Sequence, residues 1–323
     1  MNILLLLIIA VSVSGYDVVN NGQIVGYYKN SSTAYTSNSS SLYGNIVNAD
    51  FQCRLSSLGS IIRLHKLKTF SAKQSADIEK AHCIWETVIR GVKVNGYPGV
   101  DIDVNISNID GAGGVLGQAY WRYANYYTGP SGTYAMPISG YFEIDAGDLA
   151  VMSIGNDFMN VITHEIGHIL GINSQIWGYN NLLGANQYQY NGTSGLNSFR
   201  KLYNRSFDSY VPIETHGGGG TAGSHWDETT SIIDVANRTM ALEIMTGYLS
   251  SINYMTALTS HSMCDLGYEV NSAICAVDSD CGHGNGSICN RGYIDMCSTS
   301  SAVTSNPVFH LIVILGTMSF MFV

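Results

Sequence analysis

Between Asp157 and Gly171 apolar residues recur at helical spacing. Phe158, Val161, Ile162, Ile166 and Ile169 fall along one side of a helix that Gly171 can end. An earlier helical period opens at Phe70 with Ser71 as its cap, runs through Ile78, Ala81, Trp85 and Ile89, and stops at Gly91. Alternation takes over elsewhere. Ile61–Leu67 alternates loosely and Val100–Ile106 strictly, which makes the latter a strand with one wet face. A turn at Gly111–Gly114 leads into a strand at Val115–Trp121, and Gly140–Ile144 forms another short one. Helix, strands and helix in that order predict an α+β layered domain.

The two ends depart from this pattern. Met1–Ala10 is an aliphatic run followed by Ser12, Ser14 and Gly15, which reads as a secretory signal over residues 1–15 and is too short to span a membrane. Residues 16–60 are rich in Ser, Asn, Tyr and Gly without a sustained period, and read as a surface or pro-like segment poorly able to build a core. At the other end, small residues around Ser298–Ala302 and a polar spacer precede the apolar run Val308–Val323. That arrangement predicts a glycolipid-anchor signal over residues 298–323, hence a cell-surface protein, against a short tail anchor or a buried tail.

Composition narrows the class. Charged residues make up only 12% of the 323 positions and the formal net charge is −9, with no basic cluster to meet a nucleic acid. Sequons at Asn30, Asn38, Asn105, Asn191, Asn204, Asn237 and Asn285 fit a secreted chain. The cysteines number 7, and five of them, Cys264, Cys275, Cys281, Cys289 and Cys297, lie late, where residues 271–297 read as a small disulfide-stapled module. The odd count leaves one thiol over. Cys53 could serve as a latency thiol, although a bridge from Cys53 to Cys83 is the simpler reading.

The candidate chemistry sits on the second helix. His164 and His168 are four apart and project from one face, so both imidazoles can reach one metal ion. Glu165 beside them is placed to take a proton from a metal-bound water, and the apolar run around it would otherwise bury its charge without a partner. The third ligand is not set by the motif. The resemblance of this motif to metzincin zinc proteases implies a histidine six residues beyond His168, but position 174 is Ser174.

More than the motif is then recognisable. Phe70–Gly91, Ile109–Ala119, the His164 motif, Thr221–Trp226 and Leu242–Gly247 resemble the leishmanolysin family of metzincin zinc endopeptidases, over roughly residues 65–270. The resemblance implies one Zn2+ per chain, held by His164, His168 and, after a long insert, His225, with Glu165 as general base and acid. It also implies Met245 as the hydrophobic turn beneath the metal. His216, or a carboxylate from Glu214, Glu228 or Glu243, remains an alternative third ligand, Tyr248 is assigned no role, and His65, His82, His261 and His283 read as surface histidines. The implied fold is a metzincin-like α+β protease: an N-terminal catalytic subdomain over residues 61–172 carrying the helix, and a less regular C-terminal subdomain over residues 173–270. The cleft lies between them, with the strand Gly114–Trp121 as its edge, open to an extended peptide by strand addition. The expected function is hydrolysis of peptide bonds in extracellular proteins, and the alternative is a catalytically inactive surface adhesion protein.

Overall fold

A computed structural model describes residues 60–218, 221–234, 237–250 and 253–270, together with the backbone of two strands, β1 (Asp17–Val19) and β2 (Val25–Lys29). The signal, the late cysteine module, the anchor signal, His283 and Cys53 lie outside the described residues. From residue 60 onward the chain runs β3 (Ile62–Lys66), α1 (Ala72–Val88), β4 (Ile89–Val92), β5 (Val100–Ser107), β6 (Val115–Gly129), β7 (Gly132–Asp145), α2 (Leu149–Met152) and α3 (Asp157–Leu170). Shorter pieces follow: α4 (Ser174–Tyr179), β8 (Gln189–Tyr190), α5 (Thr193–Leu202), β9 (Val211–Pro212), a 3-10 turn at Met240–Leu242, β10 (Tyr248–Leu249), α6 (Ala257–Asp265) and β11 (Tyr268–Val270). The chain is thus a mixed α/β protein, consistent with the α+β expectation.

One sheet carries the architecture. Its order is β10-β2-β6-β7-β5-β3, with β1 also paired to β6. Strands β3, β5 and β7 run parallel, and β6 is antiparallel to β7. Helices α1 and α3 pack together, and α3 lies on β6 and β7. The contact is apolar because Val161, Ile162, Ile166 and Ile169 are fully buried against a sheet face that includes Ala119, Trp121 and Phe142. At α1, Ser71 and Gln74 make a reciprocal capping box, the Ser71 Oγ accepting from the Gln74 N–H and the Gln74 side chain from the Ser71 N–H.

Several expectations change. Helix α1 ends at Val88 rather than at Gly91, which instead lies in β4, because the chain there turns extended to pair with β11. Strands β6 and β7 run 15 and 14 residues, far past Trp121 and well before Gly140. Their extension is a tyrosine-rich hairpin in which buried Ala124, Ala135 and Met136 stand among half-buried Tyr126, Tyr127 and Tyr134, so alternation gave no signal there. The segment 16–60, read as patternless, supplies β1 and β2, since backbone pairing on a sheet edge needs no hydrophobic period.

The strand expected as an open cleft edge is not open. Val25–Tyr28 of β2 pairs antiparallel with Val115–Ala119, so main-chain groups of that edge are already engaged. His261 is also no surface histidine. It is fully buried in α6, with Nδ1 2.5 Å from Ser198 Oγ, because that helix is enclosed along Ala257–Cys264. Asn105 lies in the central strand β5 and donates from Nδ2 to Tyr141 Oη at 2.6 Å, a poor position for a glycan. Cys83 and Cys264 each take part in a disulfide.

Candidate metal centre

Helix α3 delivers the first two imidazoles. It is buried along its whole length, and Trp85 of α1 fixes its height by donating from Nε1 to the Thr163 carbonyl at 2.8 Å, one residue before His164. Gly171 ends the helix with φ 122, after which the chain turns back so that the Ile172 carbonyl lies 2.6 Å from His168 Nδ1. His164 Nδ1 lies 2.6 Å from the Ile244 carbonyl, and His225 Nδ1 2.8 Å from the Thr221 carbonyl. A carbonyl only accepts, so each Nδ1 carries the proton and each Nε2 is left with a lone pair.

Those three Nε2 atoms converge. They are 2.7 Å apart between His164 and His168, and 3.1 Å from each of these to His225. Two metal–nitrogen bonds of about 2.0–2.1 Å at a tetrahedral angle hold nitrogens about 3.3 Å apart, close to the 3.1 Å separations to His225 and wider than the 2.7 Å between His164 and His168. Lone pairs facing one another without a proton repel, and a cation at their centre turns that repulsion into bonding. All three rings are fully buried or nearly so, and burial depresses their pKa values, to about 4 for His225 and well below the usual histidine value for the other two. They are therefore neutral at physiological pH, as metal ligation requires. His164, His168 and His225 thus form a group able to hold a metal ion.

Glu165 completes the chemistry of the donor set. Its side chain is fully buried, both carboxylate oxygens lack a hydrogen-bond partner, and burial drives its pKa well above the usual carboxylate value. An orphaned buried carboxylate is costly unless a positive charge or a water lies beside it. Room for it comes from Gly117 on β6, where a Cβ would stand 2.7 Å from Glu165 Oε1.

The third histidine is held by main chain from both sides. The Glu214 N–H donates to the His225 carbonyl at 2.9 Å, and the next residue, Trp226, donates its N–H to the Met245 carbonyl at 3.0 Å. Trp226 also stacks on Trp177, with ring centroids 5.2 Å apart, and donates from Nε1 to Thr259 Oγ1 at 2.9 Å. Met245 is fully buried against α3, close enough that a Cβ at Gly167 would stand 2.7 Å from its Sδ. Ser174 stays outside the trio. So does His216, whose Nδ1 lies 2.8 Å from Glu214 Oε1.

Some contributors were missed by the sequence reading. Glu243, considered only as a rival ligand, instead accepts from the Met245 N–H at 2.6 Å and from the Thr256 N–H at 3.0 Å, fixing the turn whose Ile244 carbonyl orients His164. Asp145 and Asp148 hold the Gly111 and Gly113 N–H groups at 2.8 and 2.9 Å, setting the turn that leads to Gly117. A carboxylate two residues before Met245 was a usable signal, whereas the carbonyl partners carry no side-chain signature at all.

No curated protein matches the chain. The family model described as leishmanolysin matches residues 133–290, a span that contains α3, all three histidines and Met245. Over that span, and with those residues in place, the chain is similar to the leishmanolysin family of zinc metallopeptidases.

Proposed function

We propose that this protein is an active zinc endopeptidase that cleaves extended peptides, with His164, His168 and His225 as its metal ligands, Glu165 as its proton carrier and Met245 as the floor of the site. The observation that carries the proposal is the convergence of three Nε2 lone pairs beside a buried carboxylate with no partner. Zinc bound there supplies a Lewis acid and lowers the pKa of a coordinated water to about 7. The Ile244, Ile172 and Thr221 carbonyls keep the rings in the tautomer that presents Nε2. A free Glu165 oxygen accepts the proton of the attacking water and then passes it to the leaving amine nitrogen. Burial raises the affinity of Glu165 for that proton, so the carboxyl can hold it between the two transfers.

The test separates ligand from proton carrier. Glu165→Gln is expected to keep its zinc while peptide hydrolysis falls by roughly 10²- to 10⁴-fold. His225→Ala is expected to lose zinc affinity itself, because one of three protein bonds is gone. Full zinc and full proteolysis in the His225 variant would refute the assignment. A wild-type protein that binds zinc but cleaves no member of a peptide library would favour the inactive adhesion reading.

A further inference from the structure

The loop that delivers His225 also builds a second cluster. Glu214, His216 and Glu228 each bring one ligand-type atom within 4.8 Å of the others. His216 Nδ1 lies 2.8 Å from Glu214 Oε1 and 4.0 Å from Glu228 Oε1, while Asp227 Oδ1 is 3.9 Å from His216 Nε2. The Glu214 side chain is 0% exposed and the Glu228 side chain 12%. Glu214 Oε2 and Glu228 Oε2 are buried without a hydrogen-bond partner. Among the described residues no lysine or arginine pairs with Glu214, Asp227 or Glu228, and the partly exposed His216 stands beside all three.

We propose that Glu214, His216 and Glu228 hold a second divalent cation of the zinc class, independent of the three-histidine centre. Two carboxylates facing each other at a buried position repel unless a cation or a shared proton lies between them. An imidazole and two carboxylates with one side open to solvent make a three-ligand set of borderline softness, which suits zinc. Calcium would need six to eight oxygens at about 2.3–2.6 Å, and this cluster does not offer them. The second ion would also steady the first centre. Glu214 Oε2 is 3.5 Å from His225 Nδ1, and the Glu214 N–H donates to the His225 carbonyl, so an ion fixing this carboxylate holds one wall of the third histidine's seat.

The full-length secreted protein, stripped by chelator, reloaded with zinc chloride alone and desalted, is expected to retain about two zinc ions per chain by elemental mass spectrometry. His216→Ala and Glu228→Gln are each expected to retain about one, and neither change should prevent folding, since one side chain is 41% exposed and the other substitution keeps its volume. His164→Ala is the reference for the three-histidine centre and is expected to keep the second ion. A wild-type count of one that vanishes in His164→Ala would end the second site while leaving the proposed function standing. Two ions retained in both cluster variants, or filling of the cluster by calcium chloride and not by zinc, would overturn the proposal equally.

Discussion

Gly117 shows how much a single position can decide. A methyl group there would meet Glu165 Oε1 at 2.7 Å and Val161 Cγ1 at 3.0 Å, both on the buried helix α3. Gly117→Ala is therefore expected to displace the carboxylate, and a shift of about 1 Å costs roughly 10²-fold in rate. The loss should appear in kcat with zinc content intact; an unchanged kcat would show that Glu165 does not need its present position. Glu243 makes a different prediction. Burial pushes its carboxyl up to about 7, against hydrogen bonds from Thr259, Met245 and Thr256 that favour the charged form. The folded value lies above the unfolded one, so the stability this group confers is complete below about pH 4.3 and is lost as pH rises through about 7. Over that window the loss approaches about 4 kcal/mol. Urea melts at about pH 5 and about pH 8 should show a smaller difference for Glu243→Gln than for the wild type, and equal differences would refute the shift.

Among the elements, β2 has the clearest functional bearing. It pairs with Val115–Ala119 of β6 on one side and with Tyr248–Leu249 of β10, just beyond Met245, on the other. A strand of the chain's own N-terminal segment thus takes the backbone groups that an extended substrate would use. A tethered strand competes at an effective concentration on the order of mM, far above a dilute peptide. Deleting residues 16–59 is expected to raise kcat/KM for an extended fluorogenic peptide by roughly tenfold or more, with zinc content unchanged. A folded, zinc-loaded truncation that is no faster would mean that substrates bind elsewhere. The same elements show the limits of periodicity. Helices α1 and α3 were legible because each carries apolar residues at helical spacing, even though α3 is buried on every side. The far half of the β6–β7 hairpin was not, because Tyr126, Tyr127 and Tyr134 are all half-buried and leave no two-residue alternation.

For the whole molecule, the described residues include no helix long and apolar enough to cross a membrane. The attachment proposed from the C-terminal sequence is a glycolipid replacing residues after about Ser301. Phosphatidylinositol-specific phospholipase is then expected to release the protein from cells. Resistance to it, together with recovery of a peptide spanning Phe309–Val323 from the mature protein, would point to a tail anchor.

What the sequence determined by itself was whatever depends on local geometry. Two histidines four apart on a helix must share a face, Ser71 and Gln74 must meet across the first turn of α1, and Val100–Ile106 must present alternate faces, whatever the rest of the chain does. The third histidine was legible only through the family resemblance, since 57 residues separate it from His168 and no helical or strand period links them. The tertiary structure decided the remainder: which carbonyl accepts from the Nδ1–H of each ring, that Gly117 opens space for Glu165, and that residues 25–29 lie along the β6 edge. Each of these works through main-chain groups or through space left by a missing side chain. Main-chain groups are the same at every position and an empty volume has no residue type, so no pattern of side chains could have announced them.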